Sequence, residues 1–87
     1  MSRFFFNFTD GERVFPDPEG AELADLAAAR AEAIMNARAL LRRRFRPGQQ
    51  LAGWRVCVVD ETGRERLSIP LSQAAAMSVA DEAPRAA

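Results

Sequence analysis

The sequence predicts an α+β domain of ββαββ order, in which one antiparallel sheet carries a single long helix on one face. Three observations predict it. Residues 25–45 (DLAAARAEAIMNARALLRRRF) form the only stretch long and periodic enough for a full helix, and ~20 helical residues run ~30 Å, the width of a small domain. Two apolar, strand-like runs precede it and two follow. Turn sequences join each pair: Asp10-Gly11-Glu12 in the first and Glu61-Thr62-Gly63 in the second. An Asp-Gly pair between strand-like runs is among the stronger hairpin signals.

In chain order, residues 3–9 (RFFFNFT) alternate so that Phe4, Phe6 and Phe8 share one face and Phe5, Asn7 and Thr9 the other. Three phenylalanines make the first the core face. After the Asp10-Gly11-Glu12 turn, residues 13–16 are expected to pair antiparallel with the first strand. Pro16, Pro18 and Gly20 break regularity, so residues 17–24 read as a loop, with Glu22-Leu23 briefly extended.

The helix begins with Asp25 as its N-cap, whose carboxylate can accept the unpaired N–H groups of the first turn. Its apolar side holds Leu26, Ala27, Ala33, Ile34, Ala37, Leu41 and Phe45, with Leu40 at the margin. That side is rich in alanine, so the strands must supply the bulk. Arg42, Arg43 and Arg44 end the helix, where positive charge complements its dipole. Pro47-Gly48 stops it. In residues 54–60 (WRVCVVD), Trp54, Val56 and Val58 face one way and Arg55, Cys57 and Val59 the other. Residues 65–71 place Leu67, Ile69 and Leu71 on one face, and Pro70, which cannot donate to a ladder, ends the strand or marks an edge. The folded domain is therefore expected over residues 1–71, followed by a flexible tail at 72–87.

A chain of 87 residues makes one domain, and a domain this small buries only about 60–65% of its unfolded surface. Twelve basic residues balance twelve acidic ones, which argues against a general nucleic-acid binder. The single cysteine cannot close an internal disulfide, which fits a reducing compartment. The Phe4-Phe5-Phe6 run is too short for a secretory h-region, so a cytoplasmic location is expected and no membrane association.

Catalysis lacks parts. With no His, Lys or Tyr, the usual general bases and Schiff-base amines are missing, and Cys57 has no histidine to activate it. The domain is expected not to be an enzyme. Asp10, Glu12, Asp17, Glu19 and Glu22 could collect a hard cation, but their spacing does not match a twelve-residue calcium loop and they read as turn residues. Neither metal nor cofactor is expected. The basic cluster Arg38, Arg42, Arg43, Arg44 and Arg46 is the feature that could neutralise phosphates, although Arg42, Arg43 and Arg44 point in three directions on a helical wheel. Arg30 falls near the middle of the apolar face. It must either snorkel to water or pair with an acid, Asp17 first and Asp10 second. Phe5, Phe15, Cys57 and Val59 would stand on the sheet face that the helix leaves open, which suggests a second copy of the chain or another small protein as partner.

The strings RFFFNFTDG, FPDPEGAEL, DLAAARAEA and WRVCVVDETGR resemble a widespread family of short bacterial proteins catalogued as a domain of unknown function. Members read R-[YF]-F-F…D-G, D-x-x-G-x-x-L-x-D-L-x-x-A-x-x-x-A and W-x-V-x-V-x-D-x-x-G. The match runs from Arg3 to about Leu71 and departs at Ala24, where many members carry proline ahead of the helix. The resemblance implies membership and brings no activity, substrate or catalytic residue with it. The functional expectation is a small binding domain that self-associates as a homodimer, with a nucleic-acid-associated regulator as the alternative.

Overall fold

The computed structural model describes residues 1–46 and 50–76. The elements are β1 (Ser2–Thr9), β2 (Val14–Phe15), β3 (Ala21–Leu23), α1 (Leu26–Arg44), β4 (Arg55–Asp60), β5 (Glu65–Pro70) and α2 (Leu71–Ala76). The strands form one five-stranded sheet in the order β2-β1-β4-β5, with β3 also on β1, and every pairing is antiparallel. This is the expected α+β architecture: one sheet with one long helix packed against it.

Alternation sets the core. Phe4 and Phe6 of β1, Val56 and Val58 of β4 and Ile69 of β5 are buried, with Phe8, Trp54 and Leu67 packed against them. From α1, Ala29, Ala33, Ile34 and Ala37 are fully buried. Three alanines at four-residue spacing give a flat stripe, which lets the phenylalanines and valines of the sheet come close. Asp25 caps α1 as expected, its carboxylate accepting the Ala28 N–H at 2.8 Å. No described helix is long and apolar enough to cross a membrane.

β2 and β3 act as one interrupted strand along the edge of β1. Phe8 lies opposite Phe15, and Phe4 opposite Ala21, so Phe5, Phe6 and Asn7 face the longer stretch from Pro16 to Gly20. Gly20 is required in that stretch. Its φ is +70°, and a Cβ there would come within 2.7 Å of the Phe4 carbonyl oxygen, so a side chain would meet both strain and a clash.

Four expectations are corrected. The spacing makes residues 21–24 part of a loop, but Ala21–Leu23 is a strand, held to β1 in part by an Arg3–Glu22 ion pair at 3.0 Å. Phe15 is expected on the open face and lies on the helix side. A three-residue turn would set Thr9 opposite Arg13, whereas the structure sets Thr9 opposite Val14. One extra turn residue sends every following side chain to the other face. The expected domain end at Leu71 is also moved. Residues 71–76 form α2, whose Leu71 and Ala74 are fully buried in the same core, while residues 77–87 of the expected tail lie outside the described residues. Finally, the buried stripe of α1 includes Ala29 and leaves Ala27 and Arg30 exposed. The helix packs on α2 as well as on the sheet, a neighbour the strand-helix pattern does not supply.

Candidate functional site

Every described aspartate accepts backbone N–H groups, which decides what the acidic positions do. Asp10 Oδ1 takes the N–H groups of Glu12 at 2.9 Å and Arg13 at 2.8 Å, closing the first turn. Those bonds, Arg13's first, hold its carboxyl below the usual range. Asp60 Oδ1 organises the β4–β5 turn by accepting the Thr62 hydroxyl at 2.6 Å, the Thr62 N–H at 2.9 Å and the Arg64 N–H at 3.0 Å. The Thr62 hydroxyl and Arg64 N–H are the leading causes that bring Asp60 from 3.8 down to about 2. Among the described residues no group of three or more His, Cys, Asp or Glu is arranged to hold a metal ion.

Asp17 works across a longer gap. Its Oδ2 accepts the Phe6 N–H at 3.2 Å, in the stretch of β1 that neither β2 nor β3 covers, and its Oδ1 accepts the N–H groups of Glu19 and Gly20 at 3.2 Å each. Its own N–H donates to Asn7 Oδ1 at 2.9 Å. The expected Arg30–Asp17 ion pair is therefore corrected: Asp17 locks its loop to the first strand, and Arg30 is exposed. An exposed arginine keeps its charge in water and needs no carboxylate to offset burial.

The face opposite the helices carries Phe5, Cys57 and Val59, as the alternation predicts. Phe5 lies opposite Val59, Asn7 opposite Cys57, and Cys57 opposite Ser68. Each of the three is half-buried, and a Cβ on Gly20 would stand only 2.9 Å from the Phe5 ring. Arg55 Nε donates to Ser68 Oγ, and the Cys57 thiol stands 3.9 Å from the same hydroxyl. Burial pushes the thiol pKa up, which keeps it protonated and unreactive near neutrality.

Phe15 instead joins a second place, at the C-terminal end of α1. Its ring stacks on Trp54 at 5.7 Å with an interplanar angle of 11°, and Phe45 meets Trp54 edge-on at 5.4 Å and 88°. Together with Phe8, Leu40 and Arg44 these rings line a cleft of about 380 Å³. The Arg13 guanidinium lies over the Phe15 ring at 5.7 Å. Trp54 is fixed through its backbone, since its N–H donates to the Leu51 carbonyl and its carbonyl accepts the Leu71 N–H. The alternation hides this cleft because its aromatics sit at element ends, each beside a turn or a break. Of the basic cluster, Arg42, Arg43, Arg44 and Arg46 are exposed and Arg38 is half-buried. Arg44 also lines the aromatic cleft.

The family model described as a domain of unknown function (DUF6894) matches residues 3–72. No curated protein matches the chain, and no solved structure does.

Proposed function

Since the chain belongs to the family described as a domain of unknown function (DUF6894), which brings no activity with it, we propose that it works by binding, as a non-catalytic cytoplasmic domain that pairs with a second copy of itself. The observation that carries the reading is one-sided packing. Both helices share the core on one face of the sheet, and the molecule is 17 Å along its thinnest direction, about one sheet and one helix layer at ~10 Å spacing. Among the described residues no element covers the row of Phe5, Cys57 and Val59. Burying that row against its own copy removes apolar surface from water, at about 25 cal/mol per Å².

The non-catalytic part of the proposal rests on chemistry. The four described aspartates serve as backbone acceptors, and Cys57 has a raised thiol.

Solution mass by light scattering, at low and high salt, tests the pairing. A dimer is expected that persists in high salt and dissociates in Phe5→Ser. Val59→Lys is the second variant, because Phe5 also packs beside Gly20 and its replacement could act through the fold. A monomer in every condition overturns the reading. Binding to nucleic acid that weakens steeply with salt would instead favour the arginine-based alternative through Arg38, Arg42, Arg43, Arg44 and Arg46.

A further inference from the structure

The cleft at the end of α1 matches small-molecule sites in its size and its mostly apolar lining. Its volume of about 380 Å³ falls within the ~300–1,000 Å³ span of small-molecule sites, which are mostly apolar with a few placed polar groups. Phe8 and Leu40 pack on the core, so its inner wall is held by the fold. Phe15 and Trp54 stack on one another to form a continuous aromatic wall, and Phe15 is 42% exposed, one of few large apolar side chains so open to water. Rings favour offset or edge contacts at ~4.5–7 Å between centroids, the spacing already used within this cluster.

The charge at the rim decides the occupant. Arg44 is the one charged side chain lining the cleft, and among the described residues it has no carboxylate partner. Its planar fork of donors matches a carboxylate or phosphate oxygen pair. The negative end of the helix dipole lies nearby, but it amounts to about half a charge, and Arg42, Arg43 and Arg44 together outweigh it.

We propose that the cleft formed by Phe8, Phe15, Leu40, Arg44, Phe45 and Trp54 binds a small planar aromatic anion, with the ring against Trp54 and Phe15 and the anionic group on Arg44. This site is on the opposite side of the sheet from the pairing face and does not depend on it.

The chain has one tryptophan, so the Trp54 indole N–H gives a single reporter resonance. Its chemical shift is followed by NMR while 2-naphthoate is added, with 2-naphthamide as the uncharged counterpart. A saturable shift is expected with naphthoate. The amide should bind about two- to fivefold more weakly, the size of one exposed charge interaction, and Arg44→Gln should weaken naphthoate by the same factor. Arg43→Gln, exposed on the same helix turn and outside the cleft, should leave binding unchanged. Phe15→Ser, at an exposed ring, should abolish the saturable shift. The proposal is overturned by a shift that never saturates, by equal affinity for acid and amide, or by Arg43→Gln matching Arg44→Gln. It is likewise overturned if raising protein concentration alone moves the resonance, which gives the cleft to a second copy, or if a single-stranded oligonucleotide binds more tightly, which gives it to nucleic acid. Val59→Lys that is monomeric yet still binds naphthoate separates this site from the pairing face.

Discussion

Replacing Asp17 by alanine tests the central claim about how the edge of the sheet is closed. The carboxylate accepts three N–H groups, those of Phe6, Glu19 and Gly20, each at 3.2 Å. Glu19 is exposed and Gly20 half-buried, so water can replace much of what those two lose. Phe6 sits in the middle of β1 and its N–H is part-buried, with no strand beside it to replace the carboxylate, so losing its partner costs roughly 1–3 kcal/mol. With about 0.5 kcal/mol for each of the other two, Asp17→Ala should destabilise by about 2–4 kcal/mol. At roughly 4–8 °C per kcal/mol for a domain of this size, Tm should fall by about 8–32 °C. Thermal and urea unfolding followed by circular dichroism measure this, and the Phe6 amide should exchange much faster in the variant. Asp17→Asn keeps an acceptor in place and should recover about half the loss. A change below about 0.5 kcal/mol, the size of an ordinary surface substitution, would refute the bridge.

Three further outcomes are expected. Leu71→Ala removes a fully buried side chain and should cost about 2–5 kcal/mol by urea unfolding; a neutral result would return residues 71–76 to a loosely attached tail. Arg30→Met should change stability by no more than about 0.5 kcal/mol, and a large loss would show that Arg30 holds a partner. Asp60 titrates at about 2 when folded against an ordinary 3.8, so the stability it contributes is complete above the ordinary value and is lost as pH falls from about 4 to about 2. The urea midpoint of the native chain should drop more across that window than that of Asp60→Asn, and parallel curves would remove Asp60 as a cause.

The helix, its Asp25 cap, the positions of both turns and the inward valines and phenylalanines were legible because each rests on a local rule: a period, a cap or a turn residue. What was not legible depended on one count or on a distant neighbour. Phe15 changed faces because the first turn holds one residue more than Asp10-Gly11-Glu12. Arg30 and Ala29 exchanged environments because a stripe of alanines offers little contrast on a wheel, and because α2 comes from a stretch, Leu71–Ala76, whose small residues carry no strong signal. The aromatic cleft joins Phe8, Phe15, Phe45 and Trp54 from four separate places in the chain, a convergence no single periodicity contains. The open face was legible in three of its four expected members, Phe5, Cys57 and Val59.

The interrupted strand also limits how the sheet can grow. On that side the outer partners of β1 span two and three residues, with Pro16, Pro18 and the Asp17 carboxylate between them, so another chain finds no continuous row of backbone groups to pair with. The opposite side ends in β5, whose outer edge is unpaired among the described residues up to Pro70. Among the described residues, the β5 side is therefore the one margin of the sheet where backbone groups stand in an unbroken row. Growth strand by strand needs an open row at both margins, and the β2–β3 side does not offer one. The loop that Asp17 pins thus leaves that margin without the template a further strand would need.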